Sequence, residues 1–235
     1  MKKLAIFVEG QTERVFIERL LTEVVGTRHL RIESYSAAGG GSAGARTLKL
    51  MQVVNPSSQE KFFAMIVDCG SDGRVRSDIG ERYSTLVAAG YSAIIGIRDV
   101  YPDVVYADIP KLRVGLQTGL SETPIKVLFV LGVMEIESWF LSEFTHFNRV
   151  HANLTPGVIA HALGFDPEKE DMQVRTHPAS DLNDAYHLVG RSYDKSRKKV
   201  QKTVDILDYA HLYLGMQKRL PDLDALNASL DQFLS

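Results

Sequence analysis

The stretch Leu4-Ala5-Ile6-Phe7-Val8-Glu9-Gly10-Gln11-Thr12-Glu13 decides how the rest of the chain is read. Leu4 to Val8 is a short apolar run, long enough for one buried strand. Glu9 closes it with a carboxylate, Gly10 lets the chain turn, and Thr12 is placed to cap a following helix. That helix carries Val15, Phe16, Leu20, Leu21, Val24 and Val25 at helical spacing. In open parallel sheets, ligands and chemistry gather at the carboxyl ends of strands, and Glu9 stands at such an end. Two readings are open for it: an acid held for chemistry, or a turn carboxylate that serves the helix N–H groups.

Working outward, strands and helices alternate as far as Leu141. Leu30 to Tyr35 alternates in polarity, as an edge strand with one exposed face does. The loop Ala37-Ala38-Gly39-Gly40-Gly41-Ser42-Ala43-Gly44 leads to an expected short helix from Ala45 to Val54. A glycine-rich loop before a helix can cradle phosphate, with Arg46 and Lys49 adding contacts, or can be a plain connection. It lacks the Gly-Lys-Ser/Thr ending of a P-loop, which argues against an ATPase. After a turn at Asn55-Pro56-Ser57-Ser58, Phe62 to Val67 is a continuous apolar run, the pattern of a strand buried on both faces. It ends in Asp68-Cys69-Gly70-Ser71-Asp72-Gly73, which suits metal or phosphate work and equally suits a turn. A helix is expected from Asp78 to Ala89, with Ile79, Tyr83, Leu86 and Val87 on one face. Tyr91 to Ile97 is the next strand, running into Arg98-Asp99-Val100-Tyr101-Pro102-Asp103. A helix over Val104–Leu116 and a strand over Lys126–Met134 follow, and the strand passes into Glu135-Ile136-Glu137-Ser138-Trp139. If this segment is helical from Glu135, then Glu135 and Trp139 share a face, Glu137 points elsewhere, and the two glutamates do different work. Trp139, the single tryptophan, is expected to pack beneath the site.

This βαβα pattern predicts an α/β fold: a mostly parallel, doubly wound, Rossmann-like sheet over residues 1–145, with a helical C-terminal extension over 146–235. In the extension, helices are expected at Ala152–Phe165 (closed by Gly164), Asp181–Tyr193, Asp205–Leu220 and Leu223–Leu234. His146, His151, His161 and His177 have no i,i+4 pairing and no cysteine partner, so zinc is not expected. Arg191, Lys195, Arg197, Lys198, Lys199 and Lys202 put six basic side chains within twelve positions. Such a run is either a solvated helix face or a dock for a phosphate backbone.

Composition bounds the remaining choices. The 235 residues are 45% hydrophobic and 24% charged, ordinary for a globular chain with a sizeable core. A formal net charge of −2 argues against binding polyanions by bulk charge, so nucleic acid would need a local basic patch or a metal. The single cysteine, Cys69, excludes an internal disulfide and fits a reducing cytosol, so a cytoplasmic location is expected. Lys2-Lys3 followed by Leu4–Val8 is too short for a signal-peptide core, and no stretch approaches the roughly 18 apolar residues of a membrane span.

Acids thus stand at successive strand ends: Glu9, then Asp68 with Asp72, then Asp99 with Asp103, and finally Glu135 and Glu137. Carboxylates crowded at one sheet edge raise one another's pKa, and a hard divalent cation relieves that cost. With only oxygen ligands on offer, Mg²⁺ or Mn²⁺ is the expected metal, and metal-assisted phosphodiester hydrolysis the implied chemistry.

Three segments carry a family resemblance: Glu9-Gly10-Gln11-Thr12-Glu13 after the first strand, Asp99 at a later strand end, and Glu135-Ile136-Glu137-Ser138-Trp139 after the last. Together they resemble the Toprim-like nuclease domains, and within them the bacterial Toprim-like proteins of unknown function related to the overcoming-lysogenization-defect nucleases. The resemblance covers residues 1–145. It departs from the family at Tyr101, where an Asp-x-Asp pattern has its second acid; Asp103 or Asp68 would have to substitute. It implies a metal-dependent nuclease acting in phage defence, in some relatives beside a partner ATPase. Glu9 and Asp99 would be the leading catalytic and metal-binding acids, with Asp68, Asp72, Asp103 and Glu135 as further ligands and Glu13 and Glu137 in support. Beyond the resemblance, Lys195 or Lys198 would neutralise developing charge if the tail folds over the site, and the basic run would hold DNA or RNA. Two alternatives stand beside it: a non-catalytic or regulated nucleic-acid- or partner-binding subunit that keeps the acidic pocket, and a phosphoryl-transfer enzyme acting on a nucleotide or small phosphate ester.

Overall fold

A computed structural model of the chain describes residues 1–39, 46–55, 59–216 and 218–235, without the side chain of Asp72. The elements run β1 (Lys2–Val8), α1 (Gln11–Val25), β2 (Leu30–Ala38), β3 (Thr47–Val54), β4 (Phe62–Asp68), α2 (Val75–Ala88), β5 (Ala93–Asp99), α3 (Ile109–Gln117) and β6 (Leu128–Gly132). After them come α4 (Glu137–Ser142), α5 (Phe147–Val150), α6 (Pro156–Leu163), α7 (Pro178–His187), α8 (Arg197–Ile206) and α9 (Pro221–Leu234). The six strands form one sheet in the order β3-β2-β4-β1-β5-β6. β1 is parallel to β4 and β5, β2 is parallel to β4, and β3 is antiparallel to β2. This is the expected α/β, mostly parallel architecture.

The apolar run that opens the chain is central because it is apolar on both faces. Leu4 to Val8 are all fully buried. Register puts Phe7 beside Val67 on one side and Gly96 on the other. Leu4, Ile6, Phe7 and Val8 each contribute about 1.5–3 kcal/mol by leaving water. Gly96 has no room for more: a Cβ there would lie 2.8 Å from the Phe129 ring.

Several local expectations are corrected. The helix α1 begins at Gln11, so Thr12 lies inside its first turn and is no cap; Gly10 is the N-cap, and the Glu13 carboxylate accepts from the Gly10 N–H at 3.0 Å. Residues 47–54 are a strand, not the helix expected over 45–54. The β2 backbone offers an open row of hydrogen-bonding groups, and pairing with it outweighs weak helix propensity in a segment bearing Thr47, Val53 and Val54. β3 is therefore the edge and β2 an interior strand. Of the glycine-rich loop expected over 37–44, Ala37 and Ala38 end β2 and residues 40–44 lie outside the described residues, as do residues 56–58 of the turn expected over 55–58. The helix expected over 205–220 is broken: α8 ends at Ile206, and a short π-helical turn, His211–Gly215, follows. The helix expected over 181–193 spans Pro178–His187, which leaves Tyr193 in extended chain. α6 ends as expected on Gly164, whose φ of 76° is the left-handed C-cap conformation.

Spatially the chain forms two compact units that interleave in sequence. The first comprises Met1–Arg98, Ala107–Val130 and Ala228–Ser235; the second comprises Asp99–Tyr106 and Leu131–Asn227. The first unit holds the body of the sheet, packed against Phe16, Leu20 and Ile79. The second is centred on Trp139, Phe140, Phe147 and Leu182, all fully buried.

Candidate functional site

Within the second unit, three carboxylates meet one ammonium group. Asp99 ends β5, and the chain beyond it is tied to the chain beyond β6 by backbone hydrogen bonds from Val100 N to Gly132 O (3.1 Å) and from Tyr101 N to Met134 O (2.8 Å). Gly132 permits this closeness, since a Cβ there would run into Asp99 Oδ1 and sit 2.9 Å from Ile136 N. Asp99 Oδ1 instead accepts a 2.8 Å hydrogen bond from Ile136 N. Met134 adopts a left-handed φ of 61°, a turn that delays the helix until Glu137.

Glu135 therefore precedes α4, and helical spacing does not apply to it. This corrects the expectation that Glu135 and Glu137 point apart: both reach Lys195. Lys195 Nζ lies 2.9 Å from Glu135 Oε1, 3.6 Å from Glu137 Oε2 and 3.9 Å from Asp99 Oδ2. Glu135 Oε2 also accepts from the Ala179 N–H at 2.9 Å, in the first turn of α7, where the helix dipole favours a negative charge. Glu137 Oε1 accepts from the Tyr193 hydroxyl at 2.8 Å, while its Oε2 is buried without a hydrogen-bond donor. Trp139 is fully buried.

Three carboxylates facing one ammonium leave an excess of negative charge. Burial pushes the Glu137 carboxyl above the ordinary range; the Lys195 charge pulls it back, the Glu135 charge adds to the rise, and the Tyr193 hydrogen bond opposes it. Burial alone would lower the Lys195 ammonium, but the charges of Glu137, Asp99 and Glu135 outweigh it and hold Lys195 firmly protonated. The oxygen donors suit a hard cation. In the arrangement seen, Lys195 stands among them, and among the described residues no three His, Cys, Asp or Glu side chains form a ready-made metal site.

The other acids singled out from sequence are placed as follows. Glu9 is half-buried after β1, in the first unit. Glu13 caps α1, and Asp68 folds onto the Gly70 N–H at 3.0 Å with Arg14 Nε at 3.8 Å, so the turn reading fits it. Asp72 opens a 3₁₀ turn, and its side chain lies outside the described residues. Asp103 is exposed in the turn after β5. Arg46 is engaged internally, at 2.5 Å from the fully buried Asp78 and on the carbonyls of Ala37 and Cys69, while Lys49 is exposed on β3. In the basic run, Lys195 turns to the acids, whereas Arg191, Arg197, Lys198 and Lys202 are exposed and Lys199 Nζ donates to Ser192 Oγ at 2.6 Å.

Sequence reasoning missed Tyr193 as a partner of Glu137. It also missed a second buried group, Glu143 with His146 and His211, in which Glu143 Oε1 lies 3.2 Å from His211 Nδ1 and Glu143 Oε2 lies 3.6 Å from His146 Nδ1. The Glu143–His146 spacing of three is the only local signal for it.

No protein-family model matches the chain, and no curated protein matches it. Among solved structures, it is similar to the crystal structure of a hypothetical protein from Pyrococcus horikoshii OT3, over 100% of both chains, at 13% identity and a TM-score of 0.44. That likeness carries no functional argument. Among the described residues, no helix is long and apolar enough to cross a membrane.

Proposed function

We propose that the chain is a metal-dependent, Toprim-like nuclease that hydrolyses nucleic-acid phosphodiesters, with Asp99, Glu135, Glu137 and Lys195 as its working group. The observation that carries this reading is the convergence of three acids from two strand ends on one lysine head, with Glu137 Oε2 buried and lacking a hydrogen-bond donor. In this reading Asp99, Glu135 and Glu137 hold Mg²⁺ or Mn²⁺, which when bound supplies Lewis-acid polarisation of a phosphoryl oxygen and a more acidic water. Tyr193 fixes the Glu137 carboxylate. Lys195, half-exposed on a flexible four-carbon stem, exchanges its carboxylate partners for the charge developing on phosphate. Phage defence and a partner ATPase rest on the family resemblance alone.

The test is cleavage of plasmid DNA and of RNA with Mg²⁺ or Mn²⁺, by the parent chain and by Asp99→Asn, Glu135→Gln and Glu9→Gln. Divalent-dependent cleavage lost in the first two variants supports the reading, and the third reports whether Glu9 takes part. Cleavage that persists in Asp99→Asn or in chelator overturns it. A second reading, a binding subunit without turnover, is favoured by Lys195 already supplying the counter-charge. It is favoured too by Tyr101 in the place of the second acid, where its ring packs edge-on to His177 at 5.0 Å. Binding of divalent metal and nucleic acid without cleavage would select it.

A further inference from the structure

The second unit contains a cavity of about 520 Å³ whose lining includes Arg149, Tyr186, Arg191, Lys199, Lys202 and Thr203. None of its lining residues is acidic. Lys199, Lys202 and Thr203 reach it from one face of α8, at the i, i+3 and i+4 positions, beside the face that buries Val200 and Val204, with Thr203 buried at the border between the two. Arg149 is neutralised by Asp208 at 2.6 Å, and Asp194 lies within electrostatic range of Lys199. Among the described residues no carboxylate pairs with Arg191 or Lys202. The cavity thus keeps an excess of positive charge in a chain whose formal net charge is −2. Tyr186, with its hydroxyl 3.3 Å from Thr203 Oγ1, gives it an aromatic and hydroxylated wall. The volume falls in the range of small-molecule pockets and exceeds the need of a bare phosphate.

We propose that this cavity is a binding site for a phosphate monoester, whose dianion sits among Arg191, Lys199 and Lys202 and whose organic part occupies the remaining space beside Tyr186. Guanidinium and ammonium groups from two elements can grip a terminal phosphate with its full double charge better than a diester with one. The site is separate from the acid group, yet it shares a strap with it. Arg191 and Ser192 line the cavity, while Tyr193 and Lys195, on the same stretch of chain, hold Glu137 and Glu135. The monoester belongs either to a free mononucleotide or to the phosphorylated end of a polynucleotide.

Calorimetric titration of the full chain in EDTA and low salt tests this independently of any metal or cleavage. The probes are AMP, adenosine, and one short oligonucleotide with and without a 5′-phosphate. AMP or the phosphorylated oligonucleotide is expected to bind, adenosine and the unphosphorylated oligonucleotide at least tenfold more weakly, and affinity is expected to fall with salt. AMP binding identifies the free nucleotide as a ligand; binding of the phosphorylated oligonucleotide alone identifies the strand end. Arg191→Ala with Lys202→Ala should weaken binding at least tenfold while the melting temperature holds, and Lys169→Ala, on the exposed surface, should leave it unchanged. Equal binding with and without the phosphate, no binding of either phosphorylated probe, or undiminished binding by the double variant overturns the proposal.

Discussion

The ammonium of Lys195 lies 2.9 Å from the carboxylate of Glu135, a residue sixty positions earlier in the chain. Around this contact Asp99 and Glu137 complete a group in which the lysine is the counter-ion for three acids. Truncating it to Lys195→Ala leaves those acids facing one another. A cost of about 1–3 kcal/mol is expected in chelator, below the 3–5 kcal/mol of a fully buried pair because the lysine head is half-exposed. If the acids hold a divalent cation, Mg²⁺ or Mn²⁺ should raise the melting temperature of Lys195→Ala more than that of the parent. Equal shifts would remove the acids as its ligands.

Tyr193→Phe deletes the donor to Glu137 Oε1 without changing the volume of the ring. A hydrogen bond to a buried charged group contributes about 1.5–3 kcal/mol, so urea unfolding should show a loss in that range. A double-mutant cycle with Glu137→Gln should show coupling between the two. Additive losses would mean that Tyr193 acts through packing alone.

Gly132→Ala introduces a Cβ where Asp99 Oδ1 and the Ile136 backbone already sit. Overpacking of this kind costs about 1–3 kcal/mol. Because the strain falls on the hydrogen bond between Asp99 and Ile136, the proposed cleavage should fall further than the loss of stability explains. A variant with parental stability and parental rate would show that this close approach is not needed.

Glu143 gives the chain an acid-sensitive element. Burial alone would raise its pKa, but the hydrogen bond and charge of His146, with hydrogen bonds from Thr145 and the Asp208 N–H, hold it below the usual 4.5. Since the folded value is the lower one, its stabilisation is present above pH 4.5 and is lost as pH falls through the depressed folded value. Glu143→Gln should lose about 1.5–3 kcal/mol at neutral pH and show a shallower decline of melting temperature in acid. An unchanged acid limb would assign that decline to other carboxylates.

The sequence by itself determined the α/β class, the central place of Leu4–Val8, the ends of several elements and the acids at strand termini. These are local or periodic signals: an apolar run buried on both faces, an apolar stripe at helical spacing, a glycine at a left-handed cap. It did not determine that 47–54 is a strand, because that segment takes its conformation from the free edge of β2 and not from its own weak preferences. Nor did it determine which acids come together. Helical spacing separates Glu135 from Glu137, and only the turn at Met134 brings both to Lys195. The six-residue basic run read as one patch, yet the tertiary structure divides it, sending Lys195 to the acids and Arg191, Lys199 and Lys202 to a cavity. Charge patterns are written along the chain, but the partner of each charge is fixed by contacts between residues far apart in sequence, and those exist only once the second unit has packed around Trp139 and Phe147.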